Sequence, residues 1–100
     1  MPDLDQVKDA QEKDADCRKI IKEIDKYVKT AEPFILVNGV LHRIRILDRV
    51  DGEHLVVNLV IPEALLAVVL YWCHSHFLAG HQGMEKTIKL FRRYFYHPRE

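Results

Sequence analysis

Two histidines, His74 and His81, stand with six residues between them, and glycines Gly80 and Gly83 flank the second. Neutral imidazole is a zinc ligand, and a structural zinc site needs about four imidazole or thiolate donors converging tetrahedrally. One histidine at a helix end and one in the following loop supply two of those corners. Glycines around His81 let that loop fold tightly back toward the helix. By spacing alone His76 is an alternative to His74. Cys73 adjoins His74, but neighbours on a helix point about 100° apart, so the two do not easily face one ion. Cys73 therefore reads as a small buried apolar residue, and so does Cys17. His42 and His54 fall in or beside strand-like runs and read as ordinary sheet residues, while His97 reads as a surface or packing residue. Neither a Ser/His/Asp nor a Cys/His nucleophile arrangement emerges, and the scattered acids of the first thirty residues form no metal-carboxylate set.

A second chemistry lies downstream. Lys86, Lys89, Arg92 and Arg93 fall off the apolar stripe of the last helical segment, where they are placed to meet phosphates. The formal net charge of the 100 residues is zero, which argues against a strongly basic nucleic-acid binder as a whole. The distribution is uneven: residues 81–100 carry five bases against two acids, so a polyanion should meet the C-terminal end first. Both cysteines read as reduced thiols, and with no signal-peptide pattern the chain reads as intracellular. The apolar run from Ala64 to Cys73 is too short for a membrane helix of about 20 residues.

These groups must be positioned by a domain with a modest core, which the 48% hydrophobic content permits. The N-terminal segment has no glycine, and no proline after Pro2, so residues 1–32 are expected as helices. Leu4, Val7 and Ala10 make a short stripe on the first helix. Cys17, Ile20, Ile21, Ile24 and Val28 make a clear one on the second, which Asp14 is placed to cap. Residues 33–61 predict a small three-stranded antiparallel sheet, its first hairpin turning at Asn38-Gly39. Alternation puts Leu41, Arg43 and Arg45 on one face and Val40, His42, Ile44 and Ile46 on the other, with one side wet. In residues 62–100, Pro62 starts a helix to about His76 with Leu65, Val68, Val69 and Trp72 as its buried stripe. Leu66 and Leu70 widen that stripe. Met84, Thr87, Ile88, Phe91 and Phe95 give a last helix that packs on it.

From about Asp9 to Pro98 the chain resembles the polymerase polyprotein of gypsy-type retrotransposons where integrase begins. DAQEKDADCRKII resembles its leading helices and FILVNGVLHR its short hairpin. VIPEALLAVVLYWCH resembles its proline-started helix, and HFLAGHQGMEKTIKLFRRYFYHP the histidine half of the His-His-Cys-Cys zinc-binding domain. His97 stands where that family usually has Trp before Pro. The resemblance implies an α+β fold, with N-terminal helices and a small sheet followed by a helix pair from a truncated three-helix zinc-binding bundle. It implies zinc as cofactor, with His74 and His81 as ligands. No Cys-x-x-Cys occurs in the chain. The site is therefore expected to be incomplete and zinc not to be stably bound. The chain is expected to be either a piece of a longer integrase or a piece kept by a host gene.

In such integrases this region is not catalytic. It helps the enzyme multimerise and hold the DNA ends of the element during integration, which implies a nuclear setting. The expected function is thus a non-catalytic module that binds nucleic acid through Lys86, Lys89, Arg92 and Arg93 and assembles as a homo-oligomer. No membrane and no small-molecule substrate is implied. The alternative is a zinc-independent protein-interaction or oligomerisation module of a domesticated integrase-like gene.

Overall fold

The computed structural model describes residues 1–26, 33–77 and 84–98. Its elements run α1 (Leu4–Lys13), α2 (Ala15–Lys26), β1 (Phe34–Val37), β2 (Val40–Arg49), β3 (Gly52–Val60), α3 (Glu63–Phe77), α4 (Met84–Tyr94) and β4 (Phe95–Tyr96).

Side chains acting on bare helix ends set the first two helices. Asp3 Oδ1 accepts the Gln6 N–H at 2.8 Å while Gln6 Oε1 accepts the Asp3 N–H at 2.9 Å, a reciprocal cap for α1. Asp14 breaks the chain between α1 and α2, and its Oδ2 accepts the Cys17 N–H at 3.0 Å, as expected of an N-cap. Its Oδ1 also accepts the Glu63 N–H in the first turn of α3 at 3.3 Å, so one carboxylate serves two helix starts. Burial would raise its pKa, but the backbone N–H donors of Cys17 and Glu63 outweigh that and hold it below the ordinary value. The face that α1 buries is Val7 with Gln11, whereas Leu4, expected in the stripe, is 59% exposed. On α2, Cys17 is buried and Ile20, Ile21 and Ile24 pack beside it; Val28 lies outside the described residues.

Asn38 and Gly39 take φ of 52° and 77°, the pair of positive angles that the hairpin turn requires. β1, β2 and β3 pair antiparallel as expected, but the sheet is four-stranded, in the order β1-β2-β3-β4. Phe95, placed by periodicity at the end of the last helix, instead pairs parallel with Leu59, and Tyr96 with Val60. Pro98 disfavours helical φ/ψ at His97, and the extended chain gives Ile61 partners on both backbone groups. The Ile61 N–H donates to Tyr96 O, and His97 Nδ1 donates to Ile61 O, each at 2.7 Å. His97 is therefore a buried structural donor and not a surface residue. Its Nε2 sits 2.9 Å from Glu63 Oε2, a close approach without hydrogen-bond geometry.

Two apolar clusters grip this sheet. Cys17, Leu41 and Val60 form one, with Ile20, Ile21, Ile24, Phe34, Leu36 and Tyr96 around them. Ile61, Val69, Cys73, Phe91 and Phe95 form the other, with Leu65, Leu66, Leu70, Trp72 and Leu90 against it. α3 thus turns Val69 and Cys73 inward and leaves Val68, expected to be buried, 49% exposed. Register decides which side of the β2-β3 hairpin is wet. Leu41, Arg43 and Arg45 share a face with Val60, Asn58 and Val56, and α2 covers the Leu41 and Val60 end of it. The opposite face carries Ile46, 64% exposed, and Leu55, 65% exposed, so its far end is open and apolar, whereas Leu59 of the same face packs against the second cluster. Among the described residues no helix is long and apolar enough to cross a membrane.

Candidate metal and nucleic-acid site

α3 and α4 position the first histidine. His74 lies exposed near the end of α3, and its Nδ1 is 3.1 Å from the hydroxyl of Thr87, which is 3% exposed on α4. A hydrogen bond to one ring nitrogen sets the ring orientation and leaves Nε2 as the open donor, the arrangement that outer partners impose on metal-ligating histidines. Ala67, Leu70, Tyr71, His74 and Thr87 line a largely apolar recess between the two helices.

His81 and the glycines beside it lie outside the described residues, as do the side chain of His76 and the structure around it from residue 78 to 83. Cys73 is fully buried in the α3-α4 cluster while His74 is exposed, so the two neighbours diverge as helix geometry requires. Burial pushes the Cys73 thiol above its ordinary pKa, opposite to what a metal thiolate needs. Cys17 lies in the other cluster, its thiol pushed up to about 12 by burial and by the Asp14 carboxylate. Among the described residues no three His, Cys, Asp or Glu side chains gather where they could hold a metal ion.

The expected basic face divides in the structure. Lys86, Lys89 and Arg93 are exposed and, with Leu90, line one recess along α4. Arg93 lies 5.8 Å from the ring centroid of Tyr94. Arg92 turns elsewhere: it lines a separate recess with Arg43 and Arg45, and its carbonyl accepts from Asn58 Nδ2 at 3.0 Å and from an Arg45 Nη at 3.3 Å. Strand alternation alone puts Arg43 and Arg45 on one face and gives them no role. The signal available was their alternation on a strand whose other inward residue, Leu41, is apolar.

Among curated proteins and solved structures none matches the chain. Residues 61–99, from Ile61 through α3, α4 and β4, match the family model of the integrase zinc-binding domain, so the segment that carries His74, Thr87 and the α4 basic row is similar to that non-catalytic part of integrases.

Proposed function

We propose that this chain is a non-catalytic, integrase-derived module that contacts the nucleic-acid backbone through the exposed row Lys86, Lys89 and Arg93. The observation that carries this reading is the position of that row on α4, within the segment similar to the integrase zinc-binding domain. Three cations at i, i+3 and i+7 share one helix face, and ammonium and guanidinium groups there bind phosphates without choosing a sequence. The setting is DNA integration, in the nucleus, with the chemistry supplied by another domain. Titration of the chain with a DNA duplex at several salt concentrations tests this. Each phosphate contact contributes a salt slope of about 0.9, so K86Q/K89Q/R93Q should lower the slope by nearly three such steps. Unchanged affinity and slope in that variant would remove the reading.

A second reading is self-assembly. The recess along α3 and α4 is apolar, and beside it Val68 is 49% and Tyr71 72% exposed. Leu66, Leu70 and Ile88, the positions expected to face a third helix, are half-buried. A second copy docking its own α3 there, about a two-fold axis, buries the same patch twice. Sedimentation across a wide concentration range tests it: a strict monomer leaves only the backbone-binding reading.

A further inference from the structure

We propose that the recess between β2, β3 and the end of α4 is an oxyanion site that takes a phosphate group. It has a volume of about 240 Å³, and Arg43, Arg45, Asn58, Arg92, Tyr96 and His97 contribute to its wall. No acidic side chain among the described residues lines it. Among the described residues neither Arg43 nor Arg45 has a carboxylate partner. Both arginines are half-buried, and among the described residues the buried Nε of each has no acceptor. A buried N–H left without a partner is costly, and more so on a charged group, so a structure that retains two side by side is poised for an acceptor.

The two groups are also held in place. The Arg43 guanidinium carbon stacks 4.4 Å from the ring centroid of Tyr96 and 5.7 Å from that of Phe34. Arg45 is tethered by one Nη to the Arg92 carbonyl. The stacking uses none of the Arg43 N–H donors and the tether uses one Nη of Arg45, and stacking on aromatic rings restricts the guanidinium without neutralising it. Strand alternation puts both on one face, where a planar fork matches the oxygens of a phosphate. Asn58 Oδ1 is a third buried atom without a partner, and it is an acceptor. A hydroxyl or amine beside the phosphate, as nucleotides and nucleic acids carry, satisfies it. The α4 row lines a different recess, so this site does not rest on the proposed backbone contact.

The test uses the full chain and inorganic phosphate, titrated against chloride at constant ionic strength, with the arginine Nε–H resonances as the readout. The expected result is a saturable shift of Arg43 and Arg45 while Arg93 stays in place. Equal, unsaturated drift of every arginine, or no shift, overturns the proposal. R43K/R45K keeps both charges but loses the fork, and should bind phosphate about tenfold more weakly; unchanged binding in a variant that remains folded by circular dichroism also overturns it. Competition then separates the sources. Displacement of phosphate by a short oligonucleotide at much lower concentration assigns the site to a nucleic-acid backbone, and equal potency assigns it to a free phosphate.

Discussion

Two junctions bury polar side chains against this sheet, and they do so in opposite ways. At the N-terminal junction Gln11 is fully buried, yet its amide behaves like a short length of strand. Its Oε1 accepts the Leu41 N–H at 2.8 Å, and its Nε2 donates to Leu41 O at 3.1 Å and to Val60 O at 2.7 Å. It fills the place where the ladder between β2 and β3 ends, beyond the pair His42 and Leu59. Asp14 next to it has both carboxylate oxygens engaged by backbone N–H groups. At the other junction, between the sheet and the end of α4, Arg43 Nε, Arg45 Nε and Asn58 Oδ1 are buried without hydrogen-bond partners among the described residues. A satisfied buried polar group adds stability and fixes how elements dock, whereas an unsatisfied one lowers stability unless something else satisfies it. The contrast ties the first junction to folding and motivates the phosphate site proposed at the second.

Substitutions can break that division or sharpen it. The reference for a large effect is Phe91, fully buried in the α3-α4 cluster. Phe91→Ala should cost about 3–5 kcal/mol in chemical denaturation. Gln11→Ala should follow at about 2–3 kcal/mol, although it removes a polar group, because it strands three backbone groups in an apolar setting. A cost under about 0.5 kcal/mol would mean that water replaces the amide and that the junction is not sealed.

Asp14→Ala should cost about 0.5–2 kcal/mol, the range of an N-cap. Its pKa is lower folded than unfolded. That contribution is therefore fully present above the ordinary aspartate value of 3.8 and is lost as pH falls through the lower folded value. Denaturation profiles should show this acid loss in the wild-type chain and its absence at that position in Asp14→Asn. The smallest effect belongs to the arginine junction. R43Q/R45Q removes two uncompensated charges and one tether to α4, so its stability should lie within about 0.5 kcal/mol of wild type or above it. A loss of about 2 kcal/mol or more would make these arginines structural and erase the contrast between the junctions.

Periodicity located the helices and the first hairpin well. Pro62 and the apolar run behind it predict a helix to about His76, and α3 spans Glu63–Phe77. Asn38-Gly39 predicts its turn because few other dipeptides tolerate two positive φ angles. Gln11 was missed because the stripe on the first helix was read through Leu4 and Ala10, whereas the buried face runs through Val7 and the residue one turn on. The fourth strand was missed because Phe95 continues the α4 periodicity, and a parallel pair between distant segments leaves no local pattern. Of the candidate site, His74 and the α4 cations were legible as residue types at helical spacing. The Thr87 bond to His74, and the separation of Arg92 from Lys86, Lys89 and Arg93, were not.

By itself the sequence determined the local conformations and the residues able to carry zinc or phosphate chemistry, since capping, turn geometry and side-chain donors depend on neighbours within a few positions. Tertiary structure alone decided which of those groups were used up and which were left open. It drew Gln11 into the end of the β2-β3 ladder and Asp14 onto two helix starts, and it turned Cys73 away from His74. It also brought Arg43 and Arg45 beneath the end of α4 with no carboxylate partner among the described residues, because burial and partnership depend on which distant segments the register brings together.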